Sequence, residues 1–172
     1  MFRRIVPAVL LLVLTAPLSL AGDPVKYEPD GGNFTILMPG TPKPSTSEIS
    51  IPGGKTTLTM ATVEVGKDVA FMVMYNDYPA EVSKVKPEDI LKGCANGLKT
   101  KDRTVVSEND VSLSVGDTKY PGKELQVSKG STYLNVRMYL VGTRLYQIMV
   151  IGPKDVVTND NSTAFFKSFE LR

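Results

Sequence analysis

The stretch TYLNVRMYLVGTRLYQIMVI, residues 132–151, decides the fold. Two runs of β-branched, aromatic and long apolar residues, Thr132 to Val141 and Arg144 to Ile151, flank Gly142-Thr143, a two-residue break of the kind that closes a hairpin. Pairing Val141 with Arg144 sets Leu140 opposite Leu145, Tyr139 opposite Tyr146 and Val136 opposite Met149. Side chains alternate between the two faces of a strand, so the sequence sorts itself. One face carries Leu134, Val136, Met138, Leu140, Leu145, Met149 and Ile151 and is apolar. The other takes Tyr133, Asn135, Arg137, Tyr139, Arg144, Tyr146, Ile148 and Val150 and is amphipathic.

Working outward, Lys123 to Ser128 joins this hairpin through a turn at Lys129-Gly130, and Thr104 to Val111 precedes it as a further strand. On the N-terminal side, Phe34 to Met38 reads as the first strand, closed by Pro39-Gly40-Thr41-Pro42. Ser47 to Ile51 and Thr56 to Val65 flank Pro52-Gly53-Gly54, and Gly66-Lys67 leads on to Val69 to Tyr75. Pairing Val65 with Asp68 predicts Met60 opposite Val73, Ala61 opposite Met72 and Thr62 opposite Phe71. Both faces of that hairpin are apolar, so the sheet is expected to be covered on both sides.

Between the two strand groups, Lys86 to Lys101 reads as a helix. Pro87 suits the first helical position, Glu88 and Asp89 complement the positive N-terminal end, and Lys99 and Lys101 the negative end. Ile90, Leu91, Cys94, Ala95 and Leu98 form its buried stripe. Gly93 and Gly97 each weaken a helix by roughly 1 kcal/mol relative to alanine, and their spacing suggests close backbone packing. Thr158 to Ser168 is a second helix, capped around Thr158 to Asp160, with Ala164, Phe165 and Phe169 on its apolar side. The class is therefore α+β, a largely antiparallel sheet sandwiched by helices.

Residues 1–21 read as a signal peptide. Arg3 and Arg4 supply a basic segment, Ile5 to Leu14 an apolar core, and Ser19-Leu20-Ala21 the small residues of a cleavage site between Ala21 and Gly22. The apolar run is shorter than the roughly 20 residues that span a bilayer, and Pro7 and Pro17 interrupt it. The only cysteine is Cys94, so no thiol is available for lipid attachment at the new N-terminus. The expectation is export without a membrane anchor after cleavage, a flexible lead-in over 22–33, and a single soluble domain over 34–172, periplasmic or extracellular.

Composition narrows the chemistry. The chain has 20 Lys+Arg and 18 Asp+Glu, and loss of Arg3 and Arg4 with the leader equalises them, which leaves no electrostatic basis for nucleic-acid binding. There is no histidine, hence no ordinary triad base and no imidazole metal ligand. Cys94 falls on the buried helix stripe and reads as a small core hydrophobe rather than a nucleophile. Asp77, Glu81, Asp89, Asp110 and Asp117 lie in or near loops, where solvated charge is the ordinary reading. Asp155 and Asn159-Asp160-Asn161 have oxygen ligands but lack the spacing of a calcium loop, and helix capping accounts for them. No cofactor or metal is expected.

Tyr139 and Tyr146, flanked by Arg137 and Arg144, form the one constellation with recognition character, since tyrosine offers contact area and arginine a planar fork. The competing reading is that a helix covers this face.

Phe34 to Pro42 (FTILMPGTP), Tyr120 to Leu125 (YPGKEL), Arg137 to Gln147 (RMYLVGTRLYQ), Val150 to Lys154 (VIGPK) and Phe165 to Leu171 (FFKSFEL) resemble, in this order, strings of the PsbP/Mog1-like superfamily and its exported bacterial members. The resemblance implies an α/β/α sandwich with Pro121-Gly122 and Gly142 at turns. It also implies a non-enzymatic binding or assembly module, with a protein partner or a small apolar ligand in the cell envelope. The alternative is a carboxylate-dependent hydrolase acting on an envelope polymer.

Overall fold

Alternating apolar residues and well-placed turn glycines build most of this molecule into antiparallel ladders. The structure, a computed structural model, describes residues 23–51 and 54–172. Its strands are β1 (Val25–Tyr27), β2 (Phe34–Met38), β3 (Lys43–Ile51), β4 (Gly54–Val65), β5 (Val69–Asp77), β6 (Thr104–Val115), β7 (Thr118–Lys129), β8 (Thr132–Val141), β9 (Arg144–Gly152) and β10 (Glu170–Leu171). Helix α1 is Pro87–Leu98, α2 is Lys154–Val157 and α3 is Asp160–Lys167, with a 3-10 turn at Ala80–Lys84. Among the described residues, seven strands form one sheet in the order β3-β4-β5-β9-β8-β7-β6, and β1-β2-β10 form a second. Every pairing is antiparallel.

The β8–β9 register is the one read from the sequence, with Leu140 opposite Leu145 and Tyr139 opposite Tyr146. Gly142, Gly130 and Gly116 each take the first position of a two-residue turn with φ of +62°, +59° and +55°, the positive-φ position of a type II′ turn. The β4–β5 register differs by one residue from the expected one. Val65 pairs with Val69 rather than Asp68, because the turn takes three residues and Gly66 enters it at φ +70°. Met60 therefore faces Met74, and Ala61 faces Val73. The shift separates Met60, Met72 and Met74 on one face from Ala61, Val63, Phe71 and Val73 on the other.

Both faces of the large sheet are covered, as its two apolar sides require. On one, Leu91 and Ala95 of α1 are buried against Leu125, Val136, Met138, Leu140 and Leu145. The opposite layer is not made of helices alone. There Phe34, Ile36 and Met38 of β2, with Phe165 and Phe166 of α3, close over Phe71, Val73, Tyr139, Tyr146, Ile148 and Val150. The molecule is thus mostly antiparallel sheet with a few helices, and a small sheet takes much of the space expected for a helical layer.

Other local readings change for identifiable reasons. Regular structure begins inside the expected lead-in, because Val25–Tyr27 pairs with Met38, Leu37 and Ile36 of β2. Strands β6 and β7 run on to a turn at Gly116-Asp117, so Pro121-Gly122 lies within a strand and not at a turn. Pro121 sits one residue past the last β7–β8 pair, where β6 is its only neighbour, a place that tolerates a residue without an N–H. A Cβ at Gly93 or Gly97 would meet nothing within 4 Å, so these glycines weaken α1 without serving a packing contact. The helix expected over Thr158 to Ser168 is α3, Asp160–Lys167, and the short α2, Lys154–Val157, precedes it. Asn159 caps α3 by accepting from the Ser162 N–H at 2.9 Å, and Phe166 takes the buried position expected for Ala164.

Gly122 has a stricter role. It lies opposite Tyr139, and a Cβ there would stand 2.4 Å from Tyr139 Cδ1 and 2.6 Å from the Met138 carbonyl oxygen. Gly122→Ala is expected to lower the unfolding free energy by about 1–3 kcal/mol. The urea midpoint should fall at an unchanged slope. An unaltered midpoint would show that the Tyr139 ring and the Met138 backbone both give way without cost.

Candidate functional site

The chain leaves the large sheet after Asp77, and that departure opens a cleft. The Tyr78 N–H is still held by the Thr143 carbonyl at 2.9 Å, after which Pro79 and the 3-10 turn carry the backbone outward. Ser83 Oγ donates to the Ala80 carbonyl at 2.7 Å and fixes that turn. Lys86 is extended, at φ −61° and ψ 133°, as a residue before proline must be, and α1 begins at Pro87. This path sets Val82 and Val85 beside Ile90, Gly93 and Cys94, while Ser50 and Ile51 at the end of β3 form the facing wall.

The cleft has a volume of about 440 Å³ and a mainly apolar lining. Inside it, Tyr78 Oη lies 3.3 Å from Cys94 Sγ, a hydrogen bond in which either group can donate. Burial, reinforced by the Cys94 neighbour, raises the Tyr78 phenol above its ordinary range, and burial also pushes the Cys94 thiol up. Both groups are therefore neutral at neutral pH. Among the described residues that line the cleft, Asp89 alone is charged. It stands exposed in the first turn of α1 and joins none of the salt bridges among the described residues.

The Arg/Tyr constellation is brought together, but as an internal brace. Tyr139 and Tyr146 are only 6% and 2% exposed. Tyr139 stacks on Phe169 at 6.0 Å between centroids, and Tyr146 meets Phe34 edge-on at 5.7 Å. Tyr146 Oη donates to the Gly32 carbonyl at 2.8 Å. Arg144 makes a two-pronged pair with Asp77, at 2.7 Å on each prong, and donates to the Gly31 carbonyl at 2.5 Å. Arg137 bonds Glu124 at 2.9 Å and lies over the Phe166 ring. Of the two readings of this face, the covered one describes Tyr139 and Tyr146, which lie beneath β2 and the Phe165–Phe169 segment, whereas Arg137 and Arg144 stay partly exposed and paired with Glu124 and Asp77.

The acidic candidates do not gather. Asp77 belongs to Arg144 and Asp110 to Lys123, at 2.7 Å each. Glu81 lies on the 3-10 turn, Asp117 in the β6–β7 turn, and Asp89 at the cleft. Asp155 lies in α2, and no group of three or more His, Cys, Asp or Glu is placed to hold a metal among the described residues. Ala21 and Gly22, the expected cleavage site, fall outside the described residues. No helix among the described residues is long and apolar enough to cross a membrane. Sequence reasoning missed the cleft. Its one available signal was Cys94, a polarizable group on the Ile90–Leu98 stripe, because the facing wall comes from residues about forty positions away.

The architecture defined by these sheets and their covering layers is the PsbP-like fold. The solution structure of cyanobacterial PsbP (CyanoP) from Synechocystis sp. PCC 6803 is similar to this chain with a TM-score of 0.52 at 11% sequence identity, over 91% of this chain and 96% of that one. Likeness at that identity is a likeness of fold. No family model matches the sequence, and no curated protein does.

The brace has a pH signature. The hydrogen bonds from Arg144 hold the Asp77 carboxyl below its usual range, so the pair stabilises the fold above the unfolded carboxyl's pKa. That contribution is lost as the pH falls through the lower, folded value. Because Asp77 remains half exposed, its worth is limited to about 1 kcal/mol. Asp77→Asn should cost about that much at neutral pH and flatten the fall of the urea midpoint below about pH 4. An acid limb as steep as that of the unaltered protein would exclude this role.

Proposed function

We propose that the protein is an exported, non-enzymatic PsbP/Mog1-like binding module, acting in the periplasm or outside the cell, whose cleft beside α1 takes a small apolar ligand. The leader-like sequence of residues 1–21 supports export, and the superfamily strings support a binding rather than a catalytic role. The observation that carries the reading is the cleft itself. At about 440 Å³ it lies within the range of about 300–1,000 Å³ typical of small-molecule sites, and Ile51, Val82, Val85 and Ile90 give it apolar walls. Hydrolysis of a glycosidic polymer would call for two carboxyl groups flanking the bond to be broken, and the cleft lining supplies Asp89 alone.

Gly93 provides a test that separates binding from folding. It lines the cleft, sits in open space and occupies a helical position that any other non-proline residue would favour more than glycine. Gly93→Leu is expected to fill the cleft while leaving stability equal or higher by up to about 1 kcal/mol. Titration with the neutral fluorophore N-phenyl-1-naphthylamine should give saturable enhancement with the unaltered protein and at least tenfold weaker binding with the variant. Equal binding by both proteins, or enhancement that never saturates, would contradict the assignment.

A further inference from the structure

The polar groups in the cleft are unequal in a way that selects among apolar ligands. Tyr78 and Cys94 share a single hydrogen bond at 3.3 Å and are neutral groups, so neither offers a charge to a ligand. Asp89 is different: it is the one charged side chain lining the cleft among the described residues, and no basic side chain there neutralises it. The neighbouring Lys84, Lys86 and Lys92 are exposed and stand outside the lining, as do Glu81 and Glu88. An apolar body seated against Val82, Val85 and Ile90 would share the cleft with the Asp89 carboxylate. A carboxylate attracts an ammonium ion by charge and repels another carboxylate.

We propose that the cleft selects cationic amphiphiles, compounds with a short apolar body and an ammonium head, with Asp89 as the residue that sets this preference. The proposal rests on the cleft being a binding site. It adds the sign of the ligand's charge.

The test uses three probes with one tail: octyltrimethylammonium, octanol and octanoate, titrated calorimetrically into the purified protein below their aggregation concentrations. At low ionic strength octyltrimethylammonium should bind about tenfold more tightly than octanoate, with octanol between them. Raising the salt concentration should shrink that ratio, because Asp89 is exposed and screened by ions. Asp89→Asn should bring the ratio close to one. Asp89→Glu, which retains the charge, should keep the preference. Octanol binding without discrimination by charge, or a ratio that survives Asp89→Asn, would overturn the cationic preference and leave the apolar site standing. Failure of all three probes to bind would overturn both.

Discussion

The carbonyls of Gly31 and Gly32, gripped from the sheet by Arg144 and Tyr146, fix where the N-terminal segment crosses the large sheet, and the covering layer on that side follows from this contact. The turn has little freedom. A Cβ on Gly32 would lie 2.6 Å from Pro29 Cγ and 3.0 Å from the Phe34 ring, so only glycine fits while its carbonyl faces Tyr146. Phe34 is then delivered between Tyr27, Tyr75, Tyr146 and Phe169, with ring centroids 5.3–6.3 Å away. Beyond it β2 accepts β10 along its edge, and the Leu37 N–H donates to Ser168 Oγ at 3.0 Å. The two ends of the described chain are thereby joined over the middle of the sheet.

That closure makes the two faces of the molecule unequal. On the β2 side, aromatic rings fill the space and the buried polar atoms of Tyr146 and Arg144 have partners, so the layer is tightly determined. On the α1 side a single helix of twelve residues has to cover Met74, Leu125, Met138, Leu140 and Leu145 together. Leu91 and Ala95 accomplish this at the helix centre. Toward its N-terminal end, Ile90 and Cys94 are only partly covered, and the cleft opens there between the helix and the tip of β3. The candidate site is thus the place where the covering layer is shortest.

What the sequence reveals follows the range of the interaction concerned. The β8–β9 register is legible because Gly142-Thr143 fixes it locally and the apolar pattern agrees. The β4–β5 register is one residue off because Gly66-Lys67 fits either a two- or a three-residue turn, and only packing on both faces decides between them. Strand β1 has only three residues, and Pro121-Gly122 imitates a turn inside β7, so the pairing of these segments is set by neighbours rather than by a pattern of their own. Tyr139 and Tyr146 show the same limit at the candidate site. An amphipathic strand face reads alike whether it meets solvent or a covering layer, and here that layer comes from short segments at the two ends of the fold. Cys94 was legible as half of a helix stripe, whereas its Tyr78 partner depends on a proline-directed turn.

Phe34, held by the turn at Gly31-Gly32, anchors the covering layer to the sheet. The most direct measurement is urea unfolding of Phe34→Ala alongside the unaltered protein. The expected loss is about 3–5 kcal/mol, as for a large aromatic removed from a packed core. A loss below about 1 kcal/mol would show that the layer is held by other contacts and that Phe34 is not its anchor.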